Sequence, residues 1–180
     1  MRYFRKISGP QLYLSPMNPE DAETYCRWLN DPAVTEGLGG FSQAVSLEGE
    51  RDWLRANANG YQFAIVRAED DLLLGNCGFN CLDHRSQTAE VGIFIGEEDW
   101  RGRGYGGEAL TLLVDYGFQC LNLHSVMLRV FSFNERALAC YRRVGFREFG
   151  RRRECYFQNG RFWDGIYMEI LRRERFPDAP

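Results

Sequence analysis

A cluster of glycines and arginines between Arg101 and Gly107 is the segment of the sequence best suited to bind an anion. Glycine leaves backbone N–H groups unobstructed, and Arg101 and Arg103 add positive charge. The alternating apolar run 89–96 precedes the cluster and a long amphipathic pattern follows it, so a strand should lead into it and a helix should leave it. Helix N-termini attract anions. The segment therefore predicts a site for a phosphate or pyrophosphate.

Three known phosphate-binding patterns can be compared with this cluster. A Walker loop would need Lys and Ser or Thr directly after Gly107, and neither is present. The dinucleotide pattern G-x-G-x-x-G matches at Gly102, but it lies too late in the chain for a doubly wound fold, and no acidic residue ends the next strand. The pattern Arg101-x-x-Gly104-x-Gly106 fits best. A glycine corner that only lets a helix pack closely is the structural alternative.

The chain resembles the GNAT superfamily of N-acetyltransferases, whose pyrophosphate loop reads Gln/Arg-x-x-Gly-x-Gly/Ala at such a strand–helix junction. The segment Leu121–Phe146 is similar to the family's following strand, its Asn and its Tyr-x-x-x-Gly-Phe helix. The closing hairpin resembles those of the branches that acetylate ribosomal-protein N-termini and polyamines. The resemblance implies acetyl-CoA as co-substrate, no metal, and direct attack in a ternary complex by a protein N-terminus, a polyamine or another small amine.

The resemblance also implies which residues bind the cofactor. The strand edge formed by Ile93, Phe94 and Ile95 would pair with the pantetheine arm, because that arm is extended and rich in amides. Asn134 would bond the same arm; it also has the position of a helix cap, and the two roles are compatible. The backbone of the loop would hold the pyrophosphate, and its residues are Arg101, Gly102, Arg103, Gly104, Tyr105 and Gly106.

Two residues match family positions that carry proton transfers. Tyr141 matches the general acid, since a phenol can protonate a thiolate leaving group; the alternative is a half-buried core tyrosine. Glu90 resembles a glutamate base; the alternative is an exposed residue at the start of a strand. Related N-terminal acetyltransferases often carry a glutamate on the next strand, five residues before the Asn, where this chain has Arg129. Deprotonation through water therefore stays open, as does a non-catalytic acyl-CoA-binding or protein-interaction module that kept the fold.

The acceptor side is expected near the glycine-rich loop 31–41 and the final hairpin. Three acidic residues there would attract a cationic amine or would only be solvated: Asp31, Glu36 and Asp164. Three aromatic residues would line a pocket wall or belong to the core: Tyr61, Tyr156 and Trp163. The helix expected before the second strand should place Trp53 and Leu54 on its inner face.

Hydrophobic patterning predicts the element order β-α-α-β-β-β-α-β-α-β-β. This order gives an α/β (α+β) fold with a mixed, mostly antiparallel sheet, and the resemblance adds helices on both of its faces. Gly145 has the position of a left-handed residue past a helix, and Asn159-Gly160 that of a hairpin turn. The expected N-caps are Asn18, Ser46 and Asn134. Without a linker or repeat, 1–180 is predicted to be a single N-acetyltransferase domain.

Composition limits the remaining function classes. The chain has 180 residues and a formal net charge of −3, which gives no global electrostatic reason to expect nucleic acid as a partner. No apolar run approaches membrane-spanning length, and the first residues lack the apolar core of a secretory signal. The six cysteines form no CxxC pair, so they are expected to be reduced thiols in a cytoplasmic protein. A homodimer is left open.

Overall fold

The computed structural model describes residues 2–39 and 43–177. The strands within them are Ile7–Ser8 (β1), Leu12–Pro16 (β2), Gln62–Arg67 (β3), Leu73–Asp83 (β4), Thr88–Ile95 (β5), Ser125–Phe131 (β6), Arg147–Gln158 (β7) and Arg161–Leu171 (β8). The α-helices are Ala22–Leu29 (α1), Pro32–Thr35 (α2), Leu47–Asn57 (α3), Tyr105–Cys120 (α4), Glu135–Val144 (α5) and Arg172–Arg175 (α6). Single-turn 3-10 helices occupy Pro19–Asp21 and Glu98–Trp100.

The predicted fold class and the predicted order of the main elements are confirmed. The pairings of β1 with β2, β2 with β3, β3 with β4, β6 with β8 and β7 with β8 are antiparallel. The pairing of β5 with β6 is parallel, so the strands form a mixed, mostly antiparallel arrangement. Three short elements, β1, α2 and α6, add to the predicted order; each is too short to produce a periodic pattern.

The chain divides into two compact units. The first contains the chain up to Gly78 together with Ile93–Leu113, and the second contains Phe79–Gly92 and the chain from Val114 onward. These boundaries fall inside β4, β5 and α4 and not in linkers. The single N-acetyltransferase domain over 1–180 stays a prediction.

The first unit holds β1, β2, β3 and the part of β4 up to Gly78 as neighbours in that order. Leu14 of β2 lies opposite Ile65 of β3, and both side chains are fully buried. Helices α1 and α3 add Tyr25, Trp28 and Leu54 to a buried apolar cluster. The helices therefore cover apolar surface that the strands would otherwise expose to water.

The second unit holds residues 88–92 of β5 and the strands β6, β8 and β7 as neighbours in that order. Alternate residues of β6 are buried, namely Val126, Leu128 and Val130, as the period of two predicted. Arg129 lies between them and is exposed. Strand β6 thus presents its apolar side chains to the interior and its charged side chain to solvent.

Local sequence signals explain where several elements begin and end. The side chains of Asn18, Ser46 and Asn134 each accept a hydrogen bond from a backbone N–H in the first turn of the helix that follows, so the three predicted N-caps are confirmed. Gly145 follows α5 with a φ of 115°. Asn159-Gly160 joins β7 to β8 with φ values of 51° for the asparagine and 76° for the glycine. These conformations favour the residues that the sequence supplies.

Several expectations from composition can be compared with the structure. All six cysteines are free thiols, as predicted. Across residues 2–39 and 43–177, no helix combines the length and the apolar character needed to cross a membrane. In the same ranges, no three His, Cys, Asp or Glu side chains are grouped so that they could hold a metal ion.

Candidate active site

The glycine-rich loop leads from the 3-10 helix into α4. Gly102 and Gly104 have φ values of 76° and 94°, which other residue types rarely adopt. A Cβ atom added to either residue would meet no protein atom within 4 Å. These two glycines are therefore required by the backbone conformation and not by crowding, and the space above them is open.

The start of α4 provides backbone donors to this open space. The carbonyl of Gly104 accepts the N–H of Glu108 at 3.0 Å, which is the first hydrogen bond of the helix. The N–H groups of a first helical turn have no acceptor within the helix, and the helix dipole adds positive potential there. Gly102, Arg103 and Gly104 are exposed to solvent. The loop therefore fits an anionic group such as a pyrophosphate.

The side chain of Arg101 donates hydrogen bonds to three backbone carbonyl groups. Its Nε donates to the carbonyl of Ile95 at 3.1 Å, and Nη2 donates to the carbonyl of Gly96 at 2.8 Å. Nη1 donates to the carbonyl of Ala33 at 3.0 Å. Arg101 thus fastens the loop to the end of β5 and to α2. Sequence reasoning treated its charge as a contribution to anion binding, whereas the structure assigns its donors to holding the loop in place.

Arg103 lies on the exposed side of the loop beside Trp100. The centre of its guanidinium is 4.9 Å from the Trp100 ring centroid, and that of Arg67 is 4.3 Å from the same ring. Arg67 is also bound by both carboxylate oxygens of Asp70, at 2.8 and 2.6 Å. Arginine stacks well on an indole face. The loop is consequently bordered by an aromatic ring with arginine side chains packed against it.

The predicted pantetheine-binding strand, Ile93–Ile95, is the end of β5 that belongs to the first unit. All three residues are half-buried. The Phe94 ring packs edge-on against Tyr25 and Trp28, with centroid distances of 6.2 and 6.1 Å. Trp28 also lies against Gly96, where an added Cβ would come within 2.1 Å of the indole. This close approach explains a glycine at position 96, and it holds the strand end against α1.

Asn134 and Tyr141 belong to α5 in the second unit. The Asn134 Oδ1 accepts the N–H of Ala137 at 3.1 Å, so its role as a helix cap is confirmed, while its role toward a cofactor stays a prediction. Tyr141 is half-buried, and burial raises the pKa of its phenol to about 12. The phenol therefore keeps its proton throughout the physiological range. It is also a weaker acid than an ordinary tyrosine, so complete transfer of its proton to a thiolate is less favourable than the sequence suggests.

Glu90 lies in the part of β5 that belongs to the second unit. It is half-buried and stands opposite Met127 of β6 in the parallel register. This position fits neither a solvated strand end nor a fully enclosed carboxylate. Its role as a base stays a prediction.

The acidic residues expected to attract an amine include two with local structural roles. The Asp31 carboxylate accepts the N–H of Ala33 at 2.9 Å and caps α2. The Asp164 carboxylate accepts the N–H of Glu154 at 2.9 Å and pairs with Arg151 at 3.2 Å, and these contacts lower its pKa. Both carboxylates therefore already have hydrogen-bond partners within the protein. Residues 40 and 41 of the expected acceptor loop lie outside the described residues.

Two of the aromatic residues expected near the acceptor belong to a stack in the second unit. Tyr156 stacks on Phe131 with a centroid distance of 3.9 Å, and Trp163 meets Phe133 edge-on at 5.1 Å. This packing supports the core interpretation for Tyr156 and Trp163. Tyr61, at the start of β3, is half-buried.

Sequence reasoning missed a cavity in the first unit. Its volume is about 200 Å³, and it is lined by Tyr25, Leu29, Glu50, Trp53, Asn76 and Phe94. Leu54 is buried as predicted, but Trp53 is 41% exposed, so its predicted place on the inner face is wrong. Glu50, one turn before Leu54, faces inward instead and is only 5% exposed. The spacing of four residues from Leu54 was the signal that could have identified Glu50.

Comparisons with known proteins agree with this geometry. A family model described as an acetyltransferase (GNAT) domain matches residues 11–147. The uncharacterized N-acetyltransferase p20 of Bacillus licheniformis is 31% identical over 169 residues, which cover 91% of this chain and 94% of that protein. The putative ribosomal N-acetyltransferase YdaF of Bacillus subtilis is 33% identical over 125 residues, or 68% of this chain and 67% of that protein. The structure of spermidine N-acetyltransferase from Vibrio cholerae in complex with CoA and spermine has a TM-score of 0.81 and 26% identity, covering 91% of this chain and 97% of that one.

Proposed function

Because the chain belongs to the GNAT acetyltransferase family, we propose that it transfers the acetyl group of acetyl-CoA to a primary amine by direct attack in a ternary complex. The acceptor would be a polyamine, a protein N-terminus or another small amine. The chain is similar both to a putative ribosomal N-acetyltransferase and to a spermidine N-acetyltransferase. These similarities support a protein N-terminus and a polyamine as candidate acceptors.

The open loop before α4 is the single observation that carries the proposal. Gly102 and Gly104 hold positive φ values with free space above them, at the start of a helix where backbone N–H groups lack acceptors. The loop backbone from Arg101 to Gly106 would bind the pyrophosphate of acetyl-CoA. Arg101 would contribute by fixing the loop through its three carbonyl contacts.

The strand end Ile93–Ile95 would bind the pantetheine arm through its backbone, as an extended ligand adds to a strand. Phe94 keeps this segment in place through its ring contacts with Tyr25 and Trp28. Asn134 would contribute a further hydrogen bond to the arm from its side-chain amide, whose oxygen already caps α5.

Acetyl-CoA supplies an acetyl group activated as a thioester. The attacking amine must first lose a proton, and Glu90 would accept that proton directly or through water. The amine nitrogen then forms a bond to the carbonyl carbon, giving a tetrahedral intermediate, and the nitrogen loses its second proton to water. The carbonyl re-forms as the carbon–sulfur bond breaks, and the sulfur leaves as a thiolate. Tyr141, whose phenol stays protonated at neutral pH, would donate to this thiolate. A homodimer stays a prediction.

A thiol-release assay tests the proposed function. The purified protein is mixed with acetyl-CoA and, separately, with spermidine, 1,4-diaminobutane, an N-terminal peptide, an aminoglycoside and free amino acids, and released CoA thiol is measured with a thiol reagent. At least one amine should accelerate release well above the rate without acceptor. Tight binding of acetyl-CoA with no acceleration by any amine would instead indicate a non-catalytic acyl-CoA-binding module.

A further inference from the structure

Glu50 has a buried carboxylate oxygen without a hydrogen-bond partner in the described part of the chain. Its side chain projects from α3 and is 5% exposed. Its Oε1 is shielded from solvent and has no hydrogen-bond partner among the described residues. Burial is the cause that raises the pKa of its carboxyl group. A buried acid without a partner destabilises a fold unless a ligand supplies what is missing.

The surroundings of Glu50 suit an organic cation. The cavity that it lines has three aromatic walls, formed by Tyr25, Trp53 and Phe94. Aromatic faces attract ammonium groups, and the attraction increases when the cation leaves water. Leu29 adds an aliphatic surface and Asn76 a neutral polar group. A carboxylate in the lining of an aromatic cavity is therefore complementary to an alkylammonium ion.

The cavity also lies next to the strand expected to bind the acetyl donor. Phe94 contributes its ring to the cavity, while its backbone is the middle of the segment Ile93–Ile95. Cavity and strand end both belong to the first unit. A chain-like amine with one end in the cavity would therefore have its other end close to this strand.

We propose that this cavity binds the acceptor and that Glu50 pairs with an ammonium group of a diamine or polyamine other than the nitrogen that is acetylated. This assignment rests on the proposed function for the identity of the reaction. The volume of about 200 Å³ favours a slender aliphatic chain, because it is below the roughly 300–1,000 Å³ of pockets that enclose drug-sized ligands.

Binding measurements with two matched ligands test the assignment. 1,4-Diaminobutane and 1-pentanol have the same chain length, but only the diamine carries ammonium groups. Their affinities for the protein without acetyl-CoA are measured by calorimetry in the wild type, Glu50→Gln and Glu48→Gln. Glu48 is the matched control, since it lies on the same helix with its side chain 76% exposed. Leu29→Trp is a second test, because it fills the cavity and leaves Glu50 intact.

The wild type should bind the diamine at least about tenfold more tightly than the alcohol. Glu50→Gln should weaken diamine binding by about ten- to a hundredfold, the range for a hydrogen bond to a charged group, and leave alcohol binding within about twofold. Glu48→Gln should change neither affinity, and Leu29→Trp should weaken both. The assignment is overturned if the wild type shows no preference for the diamine, or if Glu50→Gln weakens both ligands equally or neither.

The failure of this assignment can be distinguished from the failure of the proposed function. If the diamine binds in a Glu50-dependent way but no amine releases thiol from acetyl-CoA, the cavity assignment stands and the proposed reaction is wrong. If amines are acetylated and the affinity for the diamine does not depend on Glu50, the proposed reaction stands and the cavity assignment is wrong.

Discussion

Gly104→Val is expected to remove acetyl-CoA binding while the rest of the fold persists. The φ of Gly104 is 94°, and a β-branched residue held there is strained by about 1–3 kcal/mol. An added Cβ meets no protein atom within 4 Å, so the variant has no internal clash that would prevent folding. The new side chain would instead project into the open space where the pyrophosphate is proposed to bind.

Thermal unfolding with and without ligand measures this effect. At a concentration of about 100 times Kd, a ligand stabilises the folded state by about 2.7 kcal/mol. For a chain of this length each kcal/mol raises Tm by about 2–4 °C, so acetyl-CoA should raise the wild-type Tm by about 5–11 °C. The Tm of Gly104→Val should be lower than that of the wild type without ligand, and acetyl-CoA should not raise it.

Gly160→Val is the matched control. Gly160 also has a positive φ, 76°, with no atom within 4 Å of an added Cβ, but it lies in the turn between β7 and β8. It should lose a similar amount of stability and keep the full rise in Tm on adding acetyl-CoA. A normal rise in Gly104→Val would refute the loop assignment, and loss of the rise in both variants would show that backbone strain alone explains the result.

Three further predictions concern proton transfer and buried charge. Tyr141→Phe should retain acetyl-CoA affinity and lose about 10²- to 10⁴-fold in kcat, the usual contribution of a positioned acid; full activity would leave Tyr141 a core residue. Glu90→Gln should lower kcat/KM at neutral pH and remove the acidic limb of its pH profile, and an unchanged profile would exclude Glu90 as the base. Glu50→Gln should raise the free energy of urea unfolding at neutral pH. Burial raises the folded-state pKa of Glu50. The contribution of this group to the free energy of unfolding is therefore fully present below the unfolded pKa of about 4.3 and is lost as the pH rises through the folded-state pKa. Parallel pH dependences of the two proteins would contradict this explanation.

Short-range patterns predicted the parts of the fold that neighbouring residues decide. Asn159-Gly160 has two positive φ values because this turn requires them, and Asn and Gly adopt them most readily. Asn134 caps α5 through a contact three residues away. The glycines of the loop were identified for the same reason, since their conformation depends on their own backbone. Sequence alone was therefore sufficient for the order of the main elements and for the position of the glycine-rich loop.

Long-range packing decided what the sequence did not show. Arg101 donates to the carbonyl of Ala33, which is 68 residues away along the chain, and no local pattern indicates that contact. In α3 the charged residues outnumber the apolar ones, so periodicity did not distinguish the inward-facing Glu50 from the exposed Glu48. The apolar character of Trp53 predicts a place on the inner face, whereas its side chain lines the cavity and is partly exposed to solvent. The candidate cavity therefore became visible only in the structure.

Mass analysis of the reaction products tests the central claim most directly. The protein is incubated with acetyl-CoA and 1,4-diaminobutane, and both the amine and the intact protein are analysed over time. Direct transfer predicts that mono-acetylated diamine and free CoA form at equal rates and that no acetylated protein appears. Double-reciprocal plots of the initial rate should intersect when both substrate concentrations are varied. The ternary-complex account would be contradicted by acetylated protein that forms first and then transfers its acetyl group to the amine, with parallel double-reciprocal plots. Acetyl transfer itself would be contradicted if none of the tested amines is acetylated.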